Sequence, residues 1–143
     1  MSSAMTARRQ GCRGYVTSRP FGGYAIPVPV QSLVLRDYCQ RKSFVYVLPA
    51  NENNFPHSYL VLEGMIENLA DFDGIVMCSM HMLPQRAERR RQMIAKVLGQ
   101  GCSIHLVLEG IVIATPADAE RLEELIQLSQ IAGQAPVRMP VEG

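Results

Sequence analysis

The chain has 143 residues, 48% of them hydrophobic, with 14 basic against 13 acidic side chains and a formal net charge of +1. That is enough sequence for one domain with one sizeable core, and the near-neutral balance encodes no general attraction for nucleic acid or acidic lipid. The longest apolar stretches, 74–80 and 104–114, are too short or too interrupted to span a bilayer, and no apolar run follows Arg8, Arg9 and Arg13 at signal-peptide distance, so a soluble, cytoplasmic protein without a membrane partner is expected.

Residues 1–13 are polar and without periodicity, which predicts a disordered arm; the domain is expected to run over 14–133 and a flexible tail, with Pro136 and Pro140, over 134–143. Gly14 to Thr17 is short and rich in strand formers. After the loop "SRPFGG", Val30 to Lys42 repeats at helical spacing through Val30, Leu33, Val34 and Cys39. Pro27 and Pro29 suit the approach to that helix and its first turn, where a missing N–H costs nothing. Phe44 to Leu48 reads as a second strand ended by Pro49. His57 to Leu69 reads as a helix with Ser58 as its cap.

Asp71-Phe72-Asp73-Gly74 is a turn signal before a buried strand, Ile75 to Cys78. A charged helix, Gln85 to Leu98, is stopped by Gly99. Ser103 to Leu108 is a fourth strand, followed by Glu109-Gly110 and a further apolar stretch. Thr115-Pro116-Ala117-Asp118 is a strong helix start, and the last helix, about Pro116 to Ile131, carries Leu122, Leu125 and Ile126, with Ser129 in line, on one stripe. Such alternation implies βαβ crossovers and a three-layer α/β/α domain with a four-stranded, mostly parallel sheet.

Ligands of such sheets bind beyond the carboxyl ends of the strands, which nominates the residues that follow each strand. Ser18 beside Arg19 could be a nucleophile next to a phosphate-binding guanidinium. Glu52 and His81 could supply acid and base. Together these four are the candidate catalytic residues. Thr17, Arg19, Gln31, Asn53, Asn54, Ser79 and Glu109 are the candidate ligand-binding residues, and Arg19 is a stronger candidate as anion binder than Ser18 as nucleophile. No GxGxxG or GxxxxGK[ST] is present, so no cofactor is expected. His57, His81 and His105 are too far apart in sequence for a metal. His105, inside a strand, reads as a hydrogen-bonded core residue, and Arg86, Arg89, Arg90 and Arg91 as a solvated helix face. The cysteines, with no CxxC pair, read as free thiols.

The order "GYVTSRP…VPVQSLVLRDYC…DGIVMCSMHMLP…GCSIHLVLEGIVIATP" resembles the catalytic domain of the serine recombinases, the resolvase and invertase family, over about Gly14 to Ile131. Gln31, Leu83 and the segment 101–111 carry the match, and the implied fold is resolvase-like. Ser18 and Arg19 stand out of register with that family's strand motif. Met80-His81-Met82 replaces its Asp-Arg, and Pro84 stands where it has glycine. The segments Arg13-Gly14-Tyr15, Ser18-Arg19-Pro20-Phe21, Arg36-Asp37-Tyr38-Cys39 and Asp73-Gly74-Ile75-Val76 also resemble a group of small bacterial proteins named for sporadically distributed carbohydrate clusters. That resemblance implies a place in surface-polysaccharide or related sugar biosynthesis.

Three readings stand at this point. The first is a carbohydrate-pathway protein, enzyme or accessory subunit, whose anion-binding crevice takes a phosphorylated sugar or sugar nucleotide. The second is a DNA strand-exchange protein or its inactive remnant, with DNA disfavoured by the charge balance. The third is a module that forms a homo-oligomer through the apolar stripe of its last helix.

Overall fold

A computed structural model describes residues 11–23, 25–55 and 57–134. The expected arm and tail fall mostly outside that range, although the first strand already opens at Cys12. In chain order the elements are β1 (Cys12–Val16), α1 (Val28–Arg41), β2 (Tyr46–Asn51), α2 (Leu60–Glu67), β3 (Gly74–Met77), α3 (Ala87–Gly99), β4 (Ser103–Leu106), β5 (Ile111–Ile113) and α4 (Pro116–Gln134). Short 3₁₀ turns cover Leu69–Asp71 and Met80–Met82.

The strands lie in the order β2-β1-β3-β4-β5. The first four are parallel, as expected. The sheet has a fifth strand: the apolar stretch after Glu109-Gly110 turns back as β5 and pairs antiparallel with β4, His105 opposite Val112. Gly110 makes the reversal possible with φ +68, a conformation that side chains with a Cβ resist. The chain steps from β1 to β2 in one direction and from β2 to β3 in the other. Right-handed crossovers therefore place α1 on one face and α2 on the opposite face, where α2 packs on α3 and α3 on α4.

Two expectations from the sequence are corrected. β2 does not end before Pro49 but passes through it, because β2 is an edge strand and its pairing slips there: Arg13 lies opposite Val47, and Tyr15 opposite Ala50. An edge strand with an irregular step has no inward N–H to lose at that position. Helix α2 begins at Leu60 and ends at Glu67, and Ser58 makes no cap bond to it. By contrast, the start of α4 follows the sequence signal. Thr115 Oγ1 accepts from the Asp118 N–H at 3.1 Å, while Asp118 accepts from the N–H of Thr115 and of Ala114, both at 3.0 Å, a reciprocal cap.

The core is built from the inward residues of the strands, Tyr15, Ile75, Met77, Ile104, Leu106 and Ile113, against Leu35 of α1 and Leu62, Ile94 and Leu122 on the other face, all at most 1–2% exposed. Each such aliphatic side chain contributes about 1.5–3 kcal/mol on burial. His105 is the expected core histidine. It is 5% exposed, with Nδ1 at 2.8 Å from the Tyr38 hydroxyl and Nε2 at 3.0 Å from Ser103 Oγ. Burial, with Lys42 near by, lowers its pKa. All four cysteines are free and buried. Burial pushes the Cys12 thiol up to about 12 and those of Cys39 and Cys78 to about 11, so they are inert as nucleophiles. No helix among the described residues is long and apolar enough to cross a membrane.

The arginine run on α3 is not uniformly solvated. Arg90 turns inward, its side chain 5% exposed against 10% for Glu123 of α4. Nε and Nη2 meet the two carboxylate oxygens at 2.7 and 2.6 Å, and Nη1 donates to the carbonyls of Pro84 and Gln85 at 2.9 and 3.0 Å. The Arg90 hydrogen bond is the largest cause holding the Glu123 carboxyl below its usual range. Removing one partner strands a buried charge, so Glu123→Ala is expected to lower stability by about 3–5 kcal/mol. Glu120→Ala, which removes the exposed partner of Arg91, should cost no more than about 1 kcal/mol. Urea denaturation of both variants checks the contrast, and equal midpoints would contradict it.

Candidate functional site

The strand order reverses between β1 and β3, where the loops leaving the two strands part in opposite directions. A cleft of about 470 Å³ opens there, at the carboxyl edge of the sheet. This is the size range of a small-molecule site. Its walls are the loop after β1 (Thr17 and Arg19 to Gly22), the approach to α2 (His57 and Tyr59), the segment after β3 (Met80 to Gln85) and the second half of α4 (Ile126, Ser129 and Gln130).

Three of the four walls are held by a polar side chain whose hydrogen bonds go to the protein itself. Gln31, fully buried on α1, closes the loop after β1. Its Oε1 accepts from the Thr17 N–H at 3.1 Å, and its Nε2 donates to the carbonyls of Thr17 and Ile26 at 2.6 and 2.7 Å. Glu109, after β4, holds the segment after β3 by accepting from the Ser79 hydroxyl at 2.7 Å and the Met80 N–H at 2.9 Å, and Ser79 Oγ in turn accepts from the His81 N–H at 3.1 Å.

The approach to α2 is held by Glu52, 3% exposed at the end of β2. Oε1 accepts from the Tyr15 hydroxyl at 2.8 Å and the Leu62 N–H at 3.1 Å; Oε2 accepts from the Asn53 N–H at 3.0 Å and from the Ser58 hydroxyl and Val61 N–H at 3.2 Å. Two of these donors are unpaired N–H groups of the first turn of α2. Glu52 thus does from a distance what a cap residue does locally, on the positive end of the helix dipole. Burial alone would raise its pKa. The hydrogen bonds, led by Val61 and Tyr15, outweigh burial and lower it. Burial beside the Glu52 carboxylate raises the Tyr15 phenol in turn.

The groups that face the cleft are different ones. Arg19 is fixed in plane: Nη1 donates to the Phe55 carbonyl at 3.1 Å, Nη2 to the Ser58 carbonyl at 2.9 Å and Nε to Thr17 Oγ1 at 3.4 Å, with its Cζ 5.2 Å from the Tyr59 ring centroid. A guanidinium has five N–H groups, so one on each terminal nitrogen stays uncommitted among the described residues. His81 is seated beneath the loop after β1, where a Cβ on Gly22, itself at φ +58, would come within 2.5 Å of the imidazole Cδ2. His57 stands exposed on the other wall with φ +59, an uncommon conformation for a residue with a side chain. No carboxylate lines the cleft among the described residues, and Arg90, at its floor, is neutralised by Glu123.

Of the residues nominated from sequence, Thr17, Arg19 and His81 line the cleft. Gln31, Glu52, Ser79 and Glu109 stand behind its walls, their polar atoms engaged as described. Ser18 is exposed outside the cleft and donates its hydroxyl to Asn54, and Asn53 is exposed beside it. Gln85, Ser129 and Gln130 belong to the cleft without a sequence signal that marks them. His57 carries one as a histidine near Glu52 in sequence, a pairing that permits acid/base work. Among the described residues no cluster of His, Cys, Asp or Glu could hold a metal.

No protein-family model and no curated protein matches the sequence. Solved structures do. The N-terminal catalytic domain of TP901-1 integrase matches with a TM-score of 0.55 at 15% identity, covering 85% of this chain and 97% of that one. A resolvase family site-specific recombinase from Streptococcus pneumoniae matches with a TM-score of 0.57 at 13% identity, covering 85% and 95%. The fold is therefore that of the serine-recombinase catalytic domains. Neither comparison supports the expected carbohydrate-cluster family.

Because the folded-state pKa of Glu52 is depressed, its contribution to stability is complete above the unfolded-state value of about 4.3 and is lost as pH falls through the folded-state value. Glu52→Gln keeps the shape but replaces an acceptor by a donor facing N–H groups. It is expected to cost about 2–3 kcal/mol at pH 7, with the gap to wild type narrowing below pH 4. Denaturant titrations across pH check this, and a gap independent of pH would contradict it.

Proposed function

We propose that this chain is a recombinase-fold protein that does not cleave DNA, a binding module whose cleft at the carboxyl edge of the sheet holds a phosphate-bearing ligand. The observation that carries the reading is the separation of groups around that edge. Arg19, His57 and His81 face a cleft that no carboxylate lines among the described residues, while the Ser18 hydroxyl lies outside it, bonded to Asn54. Phosphoryl transfer depends on several fixed cations around the scissile phosphate. Among the described residues Arg19 is the guanidinium next to Ser18, and it is held toward the carbonyls of Phe55 and Ser58. An active strand-exchange enzyme is supported by the fold alone; an inactive one is supported by the fold and the site together.

A second reading, a role on a carbohydrate pathway, is favoured by the scale of the cleft, which suits a phosphorylated small molecule better than a duplex. Duplex binding needs a spread of cations across the surface, and the net charge of +1 offers no such excess.

Incubation with supercoiled DNA followed by denaturing electrophoresis is expected to give no protein–DNA adduct, with Ser18→Ala indistinguishable from wild type. Titration of the ¹⁵N-labelled chain with inorganic phosphate should shift the amides around Arg19 and His81, and Arg19→Gln should abolish those shifts. An adduct that Ser18→Ala removes, or phosphate shifts confined to other surfaces, would overturn the proposal.

A further inference from the structure

We infer that the ligand of this cleft is a phosphate monoester carried on a small, hydroxylated, non-aromatic body, an inference that rests on the phosphate-binding reading and specifies it. The lining of the cleft carries two kinds of polar group. The loop after β1, the approach to α2 and the segment after β3 bring cationic and imidazole groups, Arg19 with two N–H groups uncommitted among the described residues, His57 and His81. Gln85 before α3 and Ser129 and Gln130 on α4 bring neutral polar side chains. Amide and hydroxyl groups donate and accept equally well, which suits hydroxyl groups, and among the described residues no second unpaired cation lines the cleft for a second phosphate, since Arg90, beside Gln85, is paired with Glu123.

Bases are usually recognised by stacking on aromatic faces. Besides the imidazoles of His57 and His81, which this inference assigns to the phosphate, the aromatic side chains lining the cleft among the described residues are Phe21 and Tyr59, only 5% and 9% exposed. Both rings are almost fully buried, and the Tyr59 ring is already approached by Arg19 and Arg89 with guanidinium carbons 5.2 and 5.0 Å from its centroid. A nucleoside monophosphate would therefore gain little from its base. A phosphorylated polyol or sugar would gain hydrogen bonds from Gln85, Ser129 and Gln130 as well as the phosphate contacts.

Calorimetric titration of the full chain with inorganic phosphate, glycerol 3-phosphate, glucose 1-phosphate, mannose 6-phosphate, glucose and uridine monophosphate tests this. The tightest polyol or sugar phosphate is expected to bind about tenfold more strongly than inorganic phosphate or uridine monophosphate, and free glucose not to bind. The double variant Ser129→Ala, Gln130→Ala should remove that preference, bringing the best sugar phosphate to within about twofold of inorganic phosphate on the same variant. Uridine monophosphate binding as tightly as the best sugar phosphate, or phosphate binding with no gain from any hydroxylated body, overturns this inference and leaves the phosphate site standing. Failure of every probe, inorganic phosphate included, overturns the underlying reading.

Discussion

A carboxylate removed from water loses several kcal/mol of hydration unless hydrogen bonds replace it, and Glu52 recovers that loss by gathering five donors from three parts of the chain: the β1 hydroxyl of Tyr15, its own loop through Asn53 and Ser58, and the first turn of α2. The position of the α2 approach, and with it the Ser58 carbonyl that holds Arg19, follows from this contact. So does the burial of Tyr15 in the middle of the sheet, since a phenol in the core needs a partner for its hydroxyl.

The same device recurs around the cleft. Gln31, Glu109 and Arg90 each reach from a neighbouring element to tie down a loop by its backbone groups. Loops at the end of a parallel sheet expose N–H and C=O groups that no ladder satisfies, so polar side chains are needed there for structural reasons alone. A ligand then meets a second set of groups, Arg19, His57 and His81, whose positions those clamps fix. Preorganisation of this kind lets a small ligand bind without paying to order the loops.

Much of the fold was legible in the sequence because it rests on periodicity and local caps, as at Thr115-Pro116-Ala117-Asp118. The errors arose where tertiary context decides. Pro49 is tolerated because β2 happens to be an edge, and β5 exists because Gly110 permits a hairpin after β4. At the site, sequence position marks which polar residues follow a strand but not which way each side chain turns. That is why Glu52, Gln31 and Glu109 looked like ligand-facing groups, and why Ser129 and Gln130, brought in by a helix more than a hundred residues after β1, gave no signal. Arg90 was hidden among solvated arginines for the same reason: its burial depends on Glu123 of another helix.

The fold of the recombinase catalytic domains thus carries here, among the described residues, an edge furnished with Arg19, His57 and His81, with no carboxylate in the lining and with Ser18 outside the cleft. The most direct test is a crystal structure determined with tungstate as a heavy phosphate analogue. The account predicts anomalous density within hydrogen-bond distance of the Arg19 terminal nitrogens and flanked by His57 and His81. Density only on the exposed arginines of α3, with the cleft unaltered, would contradict it.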